Sequence, residues 1–133
     1  MLTVFWKGYK MVHFVGAGSG AADLITIRGK KLLENADIII YAGSLVNPEL
    51  LEYAKDSAEI YNSAKMNLDE VIDVMKQGDT KNIVRLHTGD PCVYGAIREQ
   101  MDRLDKLGIE YDVCPGVSSF CGCLLYTSPS PRD

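Results

Sequence analysis

The 133-residue sequence contains no apolar run approaching the roughly 18 residues needed to cross a bilayer, so no membrane span is expected. An export signal is also lacking. Lys7 and Lys10 interrupt the apolar residues between Met1 and Met11, and no small-residue cleavage site follows. The cytoplasm is therefore the expected compartment. Cysteine is sparse: Cys92, Cys114, Cys121 and Cys123 lie in the last third, and none forms a C-x-x-C pair. Cys121-Gly122-Cys123 is too tight for the usual zinc spacing. These cysteines read as small apolar packers kept reduced, and no metal site is expected. An excess of basic charge is missing too. Lys and Arg number 14 against 18 Asp and Glu, for a net charge of -4. That balance argues against a nucleic-acid partner gripped through a broad basic face, and leaves room for a local basic pocket facing an anionic small molecule. Internal repeats are absent.

What is present is ordinary globular usage: 47% hydrophobic and 24% charged residues, a balance a disordered chain does not have. The length fits one domain burying about two thirds of its extended-chain surface. Short apolar runs alternate with helical patterns. The runs at Val12 to Val15, Ile38 to Tyr41, Ala58 to Tyr61, Ile83 to Leu86 and Ile109 to Val113 read as strands. Thr26 to Asn35 suits a surface helix, and Pro48 is pre-set for a first helical turn. Asn67 and Glu70 form a capping-box pattern ahead of Leu68, Val71, Ile72 and Met75 on one helix face, with Gly78 as the expected stop. Ala96 to Leu107 places Ile97, Met101 and Leu104 on one side and stops at Gly108. Five strand–helix alternations predict an α/β fold, a parallel five-stranded sheet flanked by helices with right-handed crossovers. The ends break the pattern. Residues 1–10 read as a non-native or disordered extension and residues 124–133, with Pro129 and Pro131, as a non-native tail, leaving 11–123 as the domain.

Ligands of such sheets bind beyond the carboxyl ends of the strands, so the loops after strands one, four and five matter most. The first reads Gly16-Ala17-Gly18-Ser19-Gly20-Ala21-Ala22-Asp23. Its glycines permit a tight turn and let a ligand approach the main chain. Gly16, Gly18 and Ala21 satisfy the G-x-G-x-x-A form of a dinucleotide fingerprint, but no acid stands at the end of strand two; Asp37 lies at its beginning. The fourth loop, His87-Thr88-Gly89-Asp90-Pro91-Cys92-Val93-Tyr94-Gly95, offers a carboxylate at Asp90 that can take ribose hydroxyls or serve as a helix cap. His87 is either a general base or a hydrogen-bonded core edge. The fifth, Cys114-Pro115-Gly116-Val117-Ser118-Ser119, presents Ser118 as a cap or a ligand contact.

Taken together, G-A-G-S-G before A-A-D-L-I-T, H-T-G-D-P with Y-G, and P-G-V-S-S resemble the tetrapyrrole methylase family of S-adenosylmethionine-dependent enzymes, from about Met11 to Phe120. Between the loops, Tyr41 to Val46, Asn62 to Asn67 and Tyr94 to Asp102 resemble one member of that family in particular. The resemblance implies a two-domain methyltransferase, a homodimer at full length, with S-adenosylmethionine held between the domains and a tetrapyrrole (corrinoid precursor) as substrate. Only the first domain is represented, so the C-terminal domain is expected to be missing and the fragment inactive alone. Carried over by position, Ser19, Thr88, Gly89, Asp90, Val93, Ser118 and Ser119 match cofactor-binding positions. Gly16, Gly18 and Gly20 match a substrate-facing loop. Ser19 stands where many members have proline, and Ala21-Ala22 where several have Asp-Pro. Methyl transfer of this kind needs no metal and rests on positioning, and no residue marks itself as a catalytic base. Arg28, Lys30 and Lys31 are candidates for a basic trough facing substrate carboxylates, or else a solvated helix face. The rival readings are a sister methylase acting at another ring position and a nucleotide-binding module without methyl transfer.

Overall fold

The computed structural model describes residues 10–43, 46–88 and 97–117. Strands β1 (Val12–Gly16), β2 (Ile38–Tyr41), β3 (Glu59–Asn62), β4 (Ile83–His87) and β5 (Tyr111–Cys114) form one sheet in the order β3-β2-β4-β1-β5. Every pairing is parallel. The helices are α1 (Ile27–Asn35), α2 (Leu68–Met75) and α3 (Arg98–Leu107). This is the expected parallel five-stranded sheet flanked by helices. No helix among the described residues is long and apolar enough to cross a membrane.

The strands alternate their apolar residues between two cores, as a sheet covered on both faces must. On one side Val15, Ile39, Val84, Leu86 and Cys114 pack with Leu32 and Leu33 of α1 and with Leu50. On the other, Val12, Phe14, Ile38, Ile40 and Ile83 meet Val71, Ile72 and Met75 of α2 and Leu104 of α3. Thr26 caps α1 by accepting from the Gly29 amide at 3.0 Å. The Asn67–Glu70 capping box forms as its spacing predicts, with both reciprocal bonds present. Gly108 ends α3 in the left-handed conformation.

The short helix expected from Pro48 forms, as a 3₁₀ helix, Pro48–Tyr53, whose bonds close one residue sooner than those of an α-helix. Two expectations need correction. Gly78 does not stop α2. The helix tightens into a 3₁₀ turn, Lys76–Asp79, with Gly78 buried inside it. A Cβ at Gly78 would stand 3.0 Å from Val12 Cγ2 and 3.1 Å from Ile109 Cγ2, so the residue is small to let the chain pass close to the sheet. Strand five begins at Tyr111 rather than Ile109, because Ile109 bonds back to Leu104 as part of the α3 cap.

Candidate ligand-binding rim

The sheet order seats β1 between β4 and β5, and the register aligns their carboxyl ends. Gly16 stands opposite His87 and Val15 opposite Cys114. The Ala17 amide donates to the His87 carbonyl at 2.6 Å, stitching the exit of β1 to the exit of β4. On the other flank Thr26 Oγ1 lies 3.6 Å from Cys114 Sγ, joining the start of α1 to the end of β5. Three loops separated in sequence therefore leave one edge of the sheet side by side.

The first loop is built from backbone. Gly18 and Gly20 have φ of 88° and 142°, conformations that side chains on L-residues rarely adopt. Gly18 packs against the following turn: a Cβ there would stand 2.8 Å from the Leu24 carbonyl oxygen. Gly20 faces open space. Gly16 and Gly18 are buried, Ser19 is half-buried, and Gly20 is exposed. Thr88 follows β4 directly and is exposed. Gly89, Asp90, Val93, Ser118 and Ser119 lie outside the described residues. A small, nearly side-chain-free loop beside the end of β4 suits a ligand held largely through main-chain groups.

Beneath this rim lies a polar group that the sequence does not advertise. Arg85 and His87 alternate onto the α2/α3 face and are buried among apolar residues. The Arg85 guanidinium donates from Nε to Gln100 Oε1 at 3.2 Å and from Nη1 to the Ile40 carbonyl at 3.5 Å. It thereby ties β4 to the first turn of α3 and to β2. Burial pushes its pKa down to about 10, so it stays charged at neutral pH. Burial, with the neighbouring Arg85 charge, pushes His87 down to about 3. His87 is thus neutral near pH 7 and far too weak a base to serve as the general base, which favours its reading as a core edge. Its ring packs 6.2 Å from that of Phe14, and its Nε2 has no hydrogen-bond partner among the described residues.

Two further polar residues were hidden by the apolar pattern. His13, buried within β1, donates from Nδ1 to Asp112 Oδ1 at 2.6 Å. Asn47, just before the 3₁₀ helix, donates from Nδ2 to the Gly20 carbonyl at 2.9 Å. Asn ahead of Pro is the one signal in the sequence that could have drawn attention to the latter. Among the basic candidates, Arg28, Lys30 and Lys31 are exposed on α1, and the Lys30 ammonium sits 5.1 Å above the Tyr53 ring.

A parallel sheet in this order, with a glycine-rich first loop packed against the exit of β4, matches a known family. The chain belongs to the Tetrapyrrole (Corrin/Porphyrin) Methylases, whose family model matches residues 11–130. A curated relative, the cobalt-precorrin-4 C(11)-methyltransferase of Methanocaldococcus jannaschii, is 62% identical over 112 residues, covering 83% of this chain and 43% of that protein. A solved cobalt precorrin-4 methyltransferase superposes with a TM-score of 0.85 at 40% identity, over 92% of this chain and 52% of that one. The uroporphyrin-III C-methyl transferase of Thermus thermophilus, solved in complex with S-adenyl homocysteine, gives a TM-score of 0.68 at 30% identity, over 82% of this chain and 46% of that one. The chain spans less than half the length of the curated relative it matches at 62% identity.

Proposed function

We propose that this chain is the N-terminal domain of an S-adenosylmethionine-dependent C-methyltransferase that methylates carbon 11 of precorrin-4 or cobalt-precorrin-4 in cobalamin biosynthesis. The observation that carries this reading is the 62% identity, over 112 residues and 83% of this chain, to a protein named for that activity. The stretches at Tyr41 to Val46, Asn62 to Asn67 and Tyr94 to Asp102 favour this member over its sisters.

S-adenosylmethionine would supply a methyl group on a positively charged sulfur, which an electron-rich ring carbon can displace. The protein's task is then to align two large ligands and keep water out. The rim fits that task. Its first loop exposes main-chain groups and little side-chain bulk, and the His87 imidazole beneath the rim is neutral. Ser19, Thr88, Gly89, Asp90, Val93, Ser118 and Ser119 are assigned to the cofactor, and Gly16, Gly18 and Gly20 to the face that meets the tetrapyrrole. Support for the cofactor comes from the Thermus thermophilus relative solved with S-adenyl homocysteine.

The test has two arms. Calorimetric titration of the longer protein containing this chain with S-adenosylhomocysteine and with NAD should give heat with the first only; binding of NAD instead would favour a nucleotide-binding module. The longer protein containing this chain should transfer labelled methyl to cobalt-precorrin-4, with the label mapped to carbon 11 by NMR. No transfer would overturn the proposal, and label at another carbon would make the protein a sister methylase.

A further inference from the structure

We infer that Asn47 is a positioning residue for the glycine-rich loop, holding its outer turn in the shape that receives ligand. The inference rests on the proposed function only in what the loop binds.

The side-chain amide of Asn47 is used at both ends. Its Oδ1 accepts from the Glu49 amide at 2.9 Å, capping the 3₁₀ helix Pro48–Tyr53. Its Nδ2 donates to the Gly20 carbonyl at 2.9 Å, across 27 residues of sequence. The planar amide couples these two bonds. Once the cap fixes Oδ1, the direction of the NH₂ is fixed as well, and it points at the glycine-rich loop. The following Pro48 restricts the backbone of Asn47 to extended conformations, removing a further freedom. Asn47 is found at φ -63° and ψ 119°.

Gly20 has need of such a strap. At φ of 142°, with nothing within 4 Å of where a Cβ would stand, its own neighbours do not enclose it. Gly18, two residues earlier, is wedged against the Leu24 carbonyl, and Ala17 is bonded to β4. The loop is thus anchored by the sheet at its start, by its own turn in the middle, and by Asn47 at its outermost carbonyl. A cap alone does not require an amide. Asp and Ser cap helices about as well as Asn, but neither carries a donor that could replace Nδ2 at this distance. The choice of Asn is explained by the second bond.

The experiment separates capping from strapping in the full 133-residue chain. Asn47→Asp keeps the cap acceptor and removes the donor, while Asn47→Ala removes both. Backbone ¹⁵N order parameters should fall at Gly18 to Ala22 in Asn47→Asp, from about 0.85 toward 0.6, with Glu49 to Tyr53 unchanged and the melting temperature close to that of the parent. In Asn47→Ala both segments should loosen. The affinity for S-adenosylhomocysteine should drop about five-fold in Asn47→Asp, the population change expected for one net hydrogen bond. Unchanged loop order parameters in Asn47→Asp would overturn the inference, as would equal affinities of parent and Asn47→Asp where the parent binds S-adenosylhomocysteine. A parent chain that fails to bind the ligand at all would count against the proposed function, and the order parameters would still decide the role of Asn47.

Discussion

Substituting alanine at Gly18 and, separately, at Gly20 tests how the glycine-rich loop is built. Both residues have positive φ, so an L side chain at either is strained by about 1–3 kcal/mol. Beyond that shared cost the two sites differ. A Cβ at Gly18 would stand 2.8 Å from the Leu24 carbonyl oxygen and 3.1 Å from its carbonyl carbon, whereas at Gly20 nothing lies within 4 Å. The obstructing atoms at Gly18 are main chain and cannot swing aside as the end of a flexible side chain does. Overfilling of this kind costs about a further 1–3 kcal/mol. Gly18→Ala should therefore be less stable than Gly20→Ala by that second amount alone. For a chain of this size, about 4 °C of melting temperature accompanies each kcal/mol, so the two variants should melt about 4–12 °C apart. Urea unfolding followed by circular dichroism gives the free-energy difference directly. Equal midpoints, or a Gly20 variant that is the less stable of the two, would refute the claim that the first loop is pressed against the Leu24 turn.

Three more outcomes follow from the buried polar groups. His87, held near a pKa of about 3 when folded and near 6.5 when unfolded, leaves the unfolded chain binding more protons between those values; stability is complete above pH 6.5 and declines as pH falls below it. Urea unfolding at pH 7.5 and pH 5 should show a smaller pH dependence in His87→Phe than in the parent, and the parent imidazole should not titrate by NMR between pH 5 and 8. Asp37 behaves in the carboxylate sense: burial pushes its pKa up, but bonds from Lys55 and the Asn82 amide outweigh this and hold it below the ordinary 3.8. Its contribution is present above pH 3.8 and lost as pH falls through the lower folded value, so Asp37→Asn should cost about 1 kcal/mol at pH 7 and almost nothing in acid, as read by denaturant midpoints. Arg85→Met alone strands Gln100 Oε1 and should cost about 1–3 kcal/mol, while adding Gln100→Leu should restore much of the loss; a double variant worse than the sum of the two singles would refute their pairing.

Much of this architecture was legible from residue order because the strong signals are local. A run of β-branched residues such as Ile38-Ile39-Ile40 suits a strand buried on both faces, as it proves to be, and Asn67 with Glu70 caps a helix using neighbours three positions apart. The placement of the loops at strand ends followed from the same alternation. What escaped was what depends on partners far along the chain. His13 and Arg85 interrupt apolar strands with polar atoms, and the groups that satisfy them come from β5 and α3. Gly78 carries the pattern of a helix stop, but Val12 and Ile109, distant in sequence, press on it and make smallness its purpose. Strand order likewise depends on which nonlocal pairs win, and no periodicity encodes it.

The seat of β1 in mid-sheet has a consequence for assembly during synthesis. One neighbour, β5, pairs with it across a sequence gap of 99 residues at His13 and Asp112, and the other, β4, is also made long after it. Among the described strands, β1 thus has neither partner until β4 is made, and it keeps one open edge until β5 follows. Such nonlocal closure is slow, and an apolar strand left waiting is open to wrong partners. The same arrangement delays the candidate binding rim: the edge where Val15 stands beside Cys114 forms only once β5 has joined β1, so the rim is among the last parts of the sheet to be assembled.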